Sequence, residues 1–242
     1  AFDQLKREGA FRFRGLSCHA NQDEVVRKAV ACGLYDMVQI GYNVFDIQEP
    51  AGTVETYPDY LGTSGIRSLL ELASSHSVGV VAMKTLKVGG RRQDLGKYRT
   101  GAVSLAQAML KWVLDDPRVA SAVTEIMNRD QMEEDLGAAG AKLAAAERAT
   151  LVRYVGENGS DYCHGCAGCR RACPEGIDAP AILRALVYHE SYGKTERARA
   201  AFASAGGRAA ASACRDCGAC ERACPYGVAV RRRVRDAGRL LA

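Results

Sequence analysis

The chain has 242 residues, of which 48% are hydrophobic and 25% are charged, and its formal net charge at neutral pH is +5. This composition excludes a disordered segment, a collagen-like chain and a highly charged tail. The longest apolar run, Val78–Met83, has six residues, far fewer than the roughly 18 that span a bilayer, so no membrane span is expected. The length is close to the roughly 250 residues of a complete α/β barrel and also fits two smaller domains.

Four strand–helix units follow one another in the first part of the chain. The predicted strands are Phe11–Ser17, Met37–Gly41, Gly79–Met83 and Val119–Thr124. Apolar residues at helical spacing and helix-starting side chains predict four helices; they begin at Asn21 and end at Gly33, cover Ile66–His76 and Val103–Leu114, and begin again at Asn128. This alternation predicts a parallel sheet with helices on its outer face, but four units do not close an eight-stranded barrel.

Four segments of this region resemble strands five to eight of the aldo/keto reductases, in the family's order. They are Phe13–His19, Tyr35–Asn43, Gly79–Lys84 and Ser121–Gln131. The resemblance implies an NADPH-dependent barrel, with nicotinamide contacts at Ser17 and Gln39. It also implies contacts near the adenine at Gln131 and Glu134, at the start of a helix, where phosphate groups are favoured electrostatically.

The sequence departs from the family's pattern at several positions. An acidic Glu125 stands where the family usually has Gly and would repel a 2′-phosphate, and Cys18, Met127 and Asp135 replace other common residues. The family's catalytic Asp, Tyr, Lys and His belong to strands two to four, which would precede residue 1. No catalytic residue is therefore expected in this chain, and an active site would be completed by sequence outside it or by another chain.

Three isolated features have ordinary structural interpretations. His19 is interpreted as a hydrogen-bonding loop residue, since it lies on the wrong strand to replace the family's His. Cys18 and Cys32 are interpreted as small buried hydrophobic residues. Lys84 ends a predicted strand. Its side chain either lines a pocket there or is solvated, and the sequence leaves both alternatives open.

The other eight cysteines form two copies of one motif. Cys163-x2-Cys166-x2-Cys169-x3-Cys173-Pro recurs as Cys214-x2-Cys217-x2-Cys220-x3-Cys224-Pro. This spacing is typical of two 4Fe-4S clusters in which the fourth cysteine of each motif binds the other cluster. The predicted first ligand set is Cys163, Cys166, Cys169 and Cys224, and the second ligand set is Cys173, Cys214, Cys217 and Cys220. Disulfides and structural zinc fit the repeated spacing less well.

The segment between the motifs is helical. Asp178 starts one helix with Ile182, Leu183, Leu186 and Val187 on one face, and a second covers Thr195–Ala205. This part resembles α-helical ferredoxins, and from Tyr162 to about Leu241 it resembles the ferredoxin-like tail of one aldo/keto reductase branch. The predicted fold is thus half of a TIM-type α/β barrel, residues 1–145, followed by an α-helical ferredoxin-like domain, residues 150–242.

The basic surplus lies in the cysteine-rich part. From residue 159 onward, 14 Lys and Arg face 8 Asp and Glu. Two clusters held by thiolates carry roughly −2 each and offset most of this surplus, so a nucleic-acid partner is not required. The run Arg231–Arg235 is interpreted either as a docking face for an acidic redox partner or as a solvated helix face.

These observations lead to an iron–sulfur oxidoreductase hypothesis. In it, two 4Fe-4S clusters pass electrons to or from a site for NADP(H) or a small carbonyl substrate, completed by residues outside the chain. The alternative is a non-enzymatic electron-transfer subunit docked by its half barrel in a larger complex; a third hypothesis makes the clusters structural. Cluster assembly favours the cytoplasm, although export by a twin-arginine leader is compatible with the sequence.

Overall fold

The computed structural model describes residues 2–19, 22–48, 65–86 and 93–242. These residues form two compact units, with the division after Val152; the second unit also includes residues 93–95. In the described part of the chain, no helix is long and apolar enough to cross a membrane.

The first unit is built on a four-stranded parallel sheet. Its strands are β1 (Gly15–Ser17), β2 (Met37–Gly41), β3 (Gly79–Met83) and β4 (Val119–Ala122), and they pair in the order β1-β2-β3-β4. Consecutive strand–helix units of an α/β barrel pair in this sequential order, whereas a doubly wound sheet reverses its order at a switch point. The sheet is a partial α/β barrel, as the sequence predicts.

Helices alternate with these strands. They are α1 (Phe2–Arg7), α2 (Gln22–Ala31), α3 (Ile66–Ser75), α4 (Leu105–Leu114), α5 (Arg129–Leu136) and α6 (Ala145–Asn158), with short 3-10 turns at Val44–Gln48 and Gln93–Tyr98. Ser104 and Gln107 form a reciprocal capping box that starts α4. The division between the units falls inside α6.

The core of the first unit lies on one face of the sheet. In β2, Val38 and Ile40 are fully buried, while the alternating residues Met37, Gln39 and Gly41 are half-buried. Because successive side chains of a strand point to opposite faces, this alternation indicates one well-covered face and one more open face. The helices contribute Leu70 and Met109 to the buried side.

The second unit is helical. After a short 3-10 turn at Gly159–Asp161, its helices are α7 (Gly168–Ala172), α8 (Ala179–Glu190), α9 (Thr195–Ser204), α10 (Gly207–Ser212), α11 (Ala219–Arg222) and α12 (Val230–Leu240). Its core is formed by α8, α9 and α12, with Ile182, Leu186, Phe202 and Val234 buried together. Several cysteines pack against this core, namely Cys163, Cys173, Cys214, Cys220 and Cys224.

The first strand is shorter than predicted, and the predicted burial of one cysteine is wrong. Only Gly15–Ser17 pair with β2, whereas Phe13 is 69% exposed and pairs with none of the strands in the described residues. Cys18 is buried as predicted, but the prediction for Cys32 is wrong: this residue is exposed. Its helix ends one residue earlier, at Ala31, and its thiol contacts the Ala29 carbonyl at the solvent-facing helix end. Asn21, the predicted start of α2, lies outside the described residues.

Candidate iron–sulfur sites

The two cysteine motifs have the same local backbone fold. Left-handed φ angles occur at Gly165 and Ala167 in the first motif and at the matching Asp216 and Gly218 in the second. A turn built from such residues curls the chain around its own centre and directs the intervening side chains inward. Each turn leads into a very short helix, α7 or α11, and then into a long one, α8 or α12.

Matching arginines hold the two turns. Arg171 donates to the carbonyl of Cys166 at 3.4 Å, and Arg222 donates to the carbonyl of Cys217 at 3.1 Å. The repeat in the sequence is thus a repeat in conformation and in supporting contacts.

The first ligand set lines one pocket. All four members of the set contribute to the walls of this partly open pocket. Leu183, Val228 and Val230 supply apolar wall atoms beside the thiols. A concave, thiol-lined and otherwise apolar site is what a 4Fe-4S cluster requires, so these residues fit the group.

The fourth cysteine reaches this pocket because the two motifs approach each other closely. A side-chain carbon at Gly168 would lie 3.0 Å from the carbonyl oxygen of Ala223. Glycine at position 168 therefore permits α7 to lie against the chain that leads into Cys224. This approach brings Cys224 of the second motif to the three cysteines of the first.

The second ligand set is linked by an ion pair between the motifs. Glu175, two residues after Cys173, accepts from Arg215, the residue after Cys214, with Nε and Oε1 2.9 Å apart. Cys217 is exposed, and the other three members of the set are half-buried. Among the described residues, no three Cys, His, Asp or Glu side chains are close enough together to hold a single metal ion.

The environment of the thiols opposes ionisation without a bound cation. Burial, followed by the nearby cysteines of the same pocket, raises the pKa of Cys169 to about 12. Burial also raises the pKa of Cys166, and burial together with the charge of Glu221 raises that of Cys220. Because thiolates are the metal-binding form, these sites gain stability from a positive iron core that compensates the buried charge.

The basic run on α12 is neutralised within its own unit. Arg231 pairs with Glu221 at 2.7 Å, Arg233 pairs with Glu190 through two bonds of 2.6 and 2.9 Å, and the other pairs are Arg232–Asp161, Arg235–Asp216 and Arg239–Asp236. Because Asp216 and Glu221 belong to the second motif, the arginines fasten α12 to the turn that carries Cys217. These ion pairs favour neither of the two interpretations of the basic run, a docking face for an acidic redox partner or a solvated helix face.

Two of the residues implied as nicotinamide contacts are neighbours in the sheet. Ser17 of β1 and Gln39 of β2 are in register, and the backbone N–H of Cys18 donates to the Gln39 carbonyl at 3.0 Å. Residues in register on adjacent strands point to the same face of a sheet. Ser17 is exposed and Gln39 is half-buried, so both are accessible from that face.

The two residues implied near the adenine lie on α5. Gln131 and Glu134 are three residues apart and share a helix face. The Gln131 side chain already accepts a hydrogen bond from the Met127 N–H at 2.8 Å, and Asn128 caps the helix through the Gln131 N–H. Gln131 thus orders the turn before α5.

The remaining predicted residues occupy ordinary positions. His19 is exposed in the loop after β1, in line with its interpretation as a loop residue. Lys84 follows β3 with a left-handed backbone, φ 59°, and a side-chain carbon at Gly41 would lie 3.7 Å from its Cδ. The stem of Lys84 therefore passes over the carboxyl end of β2.

An aromatic group at the first ligand set was not predicted from the sequence. His164 lines the same pocket as the cysteines and stacks on Tyr226, with Tyr162 against its other side. Each of these residues is close to a ligand cysteine in sequence, and that position is the signal that could have identified them.

The cysteine-rich unit matches a known family of iron–sulfur domains. Residues 162–230 match the family model of the 4Fe-4S dicluster domain. This match confirms the prediction that the region is an iron–sulfur domain. No curated protein matches the chain.

Two solved structures similar to the chain are the holo and apo forms of the aldo-keto reductase AKR11C1 from Bacillus halodurans. Each is 18% identical, with a TM-score of 0.45, and each alignment covers 63% of this chain. The aligned part is 53% of the holo chain and 54% of the apo chain. The chain thus spans about half the length of these structures.

Proposed function

We propose that this chain is an iron–sulfur oxidoreductase component with two 4Fe-4S clusters, held by the first and second ligand sets. In the proposal, residues 150–242 form the cluster domain and residues 1–145 form half of an α/β barrel. The half barrel contributes to a site for NADP(H) or a small carbonyl substrate that residues outside this chain complete. When bound, the clusters supply one-electron transfer, whereas a nicotinamide exchanges two electrons as hydride.

One observation carries the proposal: the four thiols of the first set, drawn from both motifs, line one pocket with apolar walls. The residues of the chain have separate tasks around it. The left-handed turns orient the cysteines, Gly168 allows the two motifs to meet, and Arg171 and Arg222 hold the turns. Thiolate-held clusters need reducing conditions for assembly, which favours a cytoplasmic location.

Metal and sulfide analysis tests the cluster assignment. Anaerobically reconstituted protein is expected to contain about eight iron and eight sulfide per chain. After reduction it should give the paramagnetic resonance signal of two interacting clusters. Bound zinc without sulfide would overturn the assignment.

Double substitutions test whether the fourth cysteines cross over. If Cys163 and Cys224 bind the same cluster, the variant Cys163→Ala with Cys224→Ala keeps about half of the iron, whereas Cys163→Ala with Cys173→Ala loses nearly all of it. The opposite pattern would show that each motif binds its own cluster. Cys32→Ala is the matched control, because this cysteine is exposed in the first unit, and it should leave the iron content unchanged.

The nicotinamide part of the proposal rests on Ser17 and Gln39, which share one accessible face of the sheet. The chain has a single tryptophan, Trp112, which is buried in α4 of the first unit and serves as the fluorescent probe. NADPH is expected to change its emission in a saturable way. The Ser17→Ala, Gln39→Ala, Gln131→Ala and Glu134→Ala variants should each weaken the response, and Glu24→Ala, an exposed site on α2, should not.

A second candidate function is a non-enzymatic electron-transfer subunit in which the half barrel is a docking scaffold. It is favoured by the exposed apolar side chains beside both edges of the sheet, Phe13 near β1 and Ile126 and Met127 after β4. An unpaired edge of this kind recruits a partner or a second copy. If NADPH does not bind, and the chain instead co-purifies stoichiometrically with another redox protein through this half, the docking function replaces the enzymatic one.

A further inference from the structure

The matching motifs differ at the two positions that face each other across each ligand set. One is the residue after the first cysteine of a motif, and the other is the residue after the Cys-Pro pair of the opposite motif. At the first set these positions hold His164 and Tyr226. At the second set they hold Arg215 and Glu175. We call them the first lid pair and the second lid pair.

The first lid pair is a close aromatic stack. The rings of His164 and Tyr226 have centroids 3.6 Å apart and planes inclined by 7°. Tyr162, which is buried, packs edge-on against His164 at 4.5 Å and 77°. Both residues of the lid pair line the pocket of the first set, so the stack joins the two motifs beside the thiols and adds apolar surface there.

The second lid pair is an ion pair at the surface. Arg215 and Glu175 meet at 2.9 Å, but the Arg215 side chain is 74% exposed. A pair of this kind is hydrated and exchanges readily with water. It joins the two motifs through charged atoms, where the first lid pair joins them through stacked rings.

Two of the four matched cysteine pairs differ in exposure, both in the same direction, and the other two pairs are equally half-buried. Cys169 is buried, whereas its counterpart Cys220 is half-buried; Cys166 is half-buried, whereas its counterpart Cys217 is exposed. At both of these positions the second set is the more exposed of the two. The set with the aromatic lid pair is thus also the set with the less exposed thiols.

We propose that the stacked first lid pair restricts the access of water and solutes to the first ligand set, whereas the ionic second lid pair leaves the second set more open, so that the two cluster sites have unequal solvent access. The inference rests on the proposed function, since it requires both sites to hold a cluster. Solvent exposure and nearby hydrogen bonding set the reduction potential of such clusters. Reduction adds negative charge, which the drier site stabilises less, so the first site has the lower potential.

Iron release to a chelator in the reconstituted full-length protein tests unequal access. The release is expected in two phases of equal amplitude, the slow half from the first site and the fast half from the second. His164→Ala and Tyr226→Ala should each accelerate the slow half about tenfold by removing the stack, and leave the fast half unchanged. His164→Phe keeps a ring and should restore slow release.

Transplanting the lid gives the converse test. Arg215→His combined with Glu175→Tyr places the aromatic residues at the second site and should slow the fast half while the slow half is unaffected. Tyr192→Ala is the matched control, because Tyr192 is a 45% exposed tyrosine of the same unit and is not among the residues lining the pocket.

The outcomes separate the two proposals. Iron far below eight per chain before release would overturn the proposed function itself. If all eight irons are released in one phase, or if Tyr226→Ala accelerates the fast half, the proposal of unequal solvent access is wrong, while the assignment of two clusters still holds. A redox titration by paramagnetic resonance adds a second readout: Tyr226→Ala should raise the lower of the two potentials only.

Discussion

The two units of this chain are stabilised in different ways. The first unit pairs its strands in a parallel sheet and buries residues such as Val38 and Ile40 completely. The second unit has a small core between α8, α9 and α12, while its cysteine turns contain only the short helices α7 and α11. Backbone pairing and apolar burial stabilise the sheet of the first unit, whereas the turns of the second have only short runs of backbone hydrogen bonds and depend more on what the thiols bind.

Iron removal should therefore produce the largest effect, and only in one unit. Chelation under anaerobic conditions is expected to raise hydrogen exchange strongly in α7, α11 and the turns between the cysteines, with less change in α8. The sheet of the first unit and the emission of Trp112 should stay as they were. Loss of protection throughout the sheet on chelation would show that the two units do not differ in this way.

The sequence was a good guide where the signal is local. The bounds of β2 and β3 agree with the prediction because each is a short apolar run beginning at a turn, and the helices Ile66–Ser75 and Thr195–Ser204 agree to within a residue. Helices α1 and α6 were not predicted. Helix α6 buries Leu151, Tyr154 and Val155 at helical spacing, a pattern that the prediction did not use, whereas α1 buries no residue.

Contacts between residues far apart in the sequence could not be predicted at the sites. Cysteine spacing is a property of the chain itself, so the motif was predictable. The stacking of His164 on Tyr226 joins residues 62 positions apart and depends on how the two motifs meet. Buried charges were not predicted for a similar reason. Lysine and arginine are ordinarily expected at the surface, and the acidic partners that allow Lys111 and Arg233 to be buried come from other helices.

The first unit contains a well-shielded ion pair, and breaking it should have the next largest effect. Lys111 and Glu147 meet at 2.8 Å with side-chain exposures of 10% and 5%. Glu147→Gln leaves the ammonium group without its counter-charge, which should lower the free energy of unfolding by about 3–5 kcal/mol. Denaturant unfolding followed by Trp112 emission measures this change.

A double substitution distinguishes the loss of a counter-charge from loss of packing. Lys111→Met with Glu147→Leu removes both charges and keeps apolar volume, so it should recover most of the stability. Failure to recover would mean that Glu147 acts chiefly through its other contact, the hydrogen bond from the Ala144 N–H at 2.8 Å that caps α6.

The Arg233–Glu190 ion pair of the second unit should matter less because one partner is partly hydrated. The Arg233 side chain is 5% exposed, but Glu190 is 27% exposed. Arg233→Met should therefore cost about 1–3 kcal/mol, seen as faster hydrogen exchange in α8 and α12. Arg239→Met on the same helix is the control: its side chain is 74% exposed, and its loss should change stability by less than about 0.5 kcal/mol. Equal effects of the two substitutions would contradict a special role for the buried arginine.

Acid should produce the smallest effect, with a defined sign in the first unit. Burial alone would raise the pKa of Glu147, but the hydrogen bonds from Lys111 and the Ala144 N–H outweigh it and hold that pKa below its ordinary value of 4.5. Because the folded pKa is the lower one, the contribution of this carboxylate to stability is complete above the unfolded value and declines as the pH falls from there through the folded value. Trp112 emission should thus report a decline in denaturant stability below about pH 4.5. The decline should be shallower in Glu147→Gln, which has no carboxylate to protonate at this position, and equal slopes in the two proteins would assign the acid sensitivity to other carboxylates of the unit, such as Asp116.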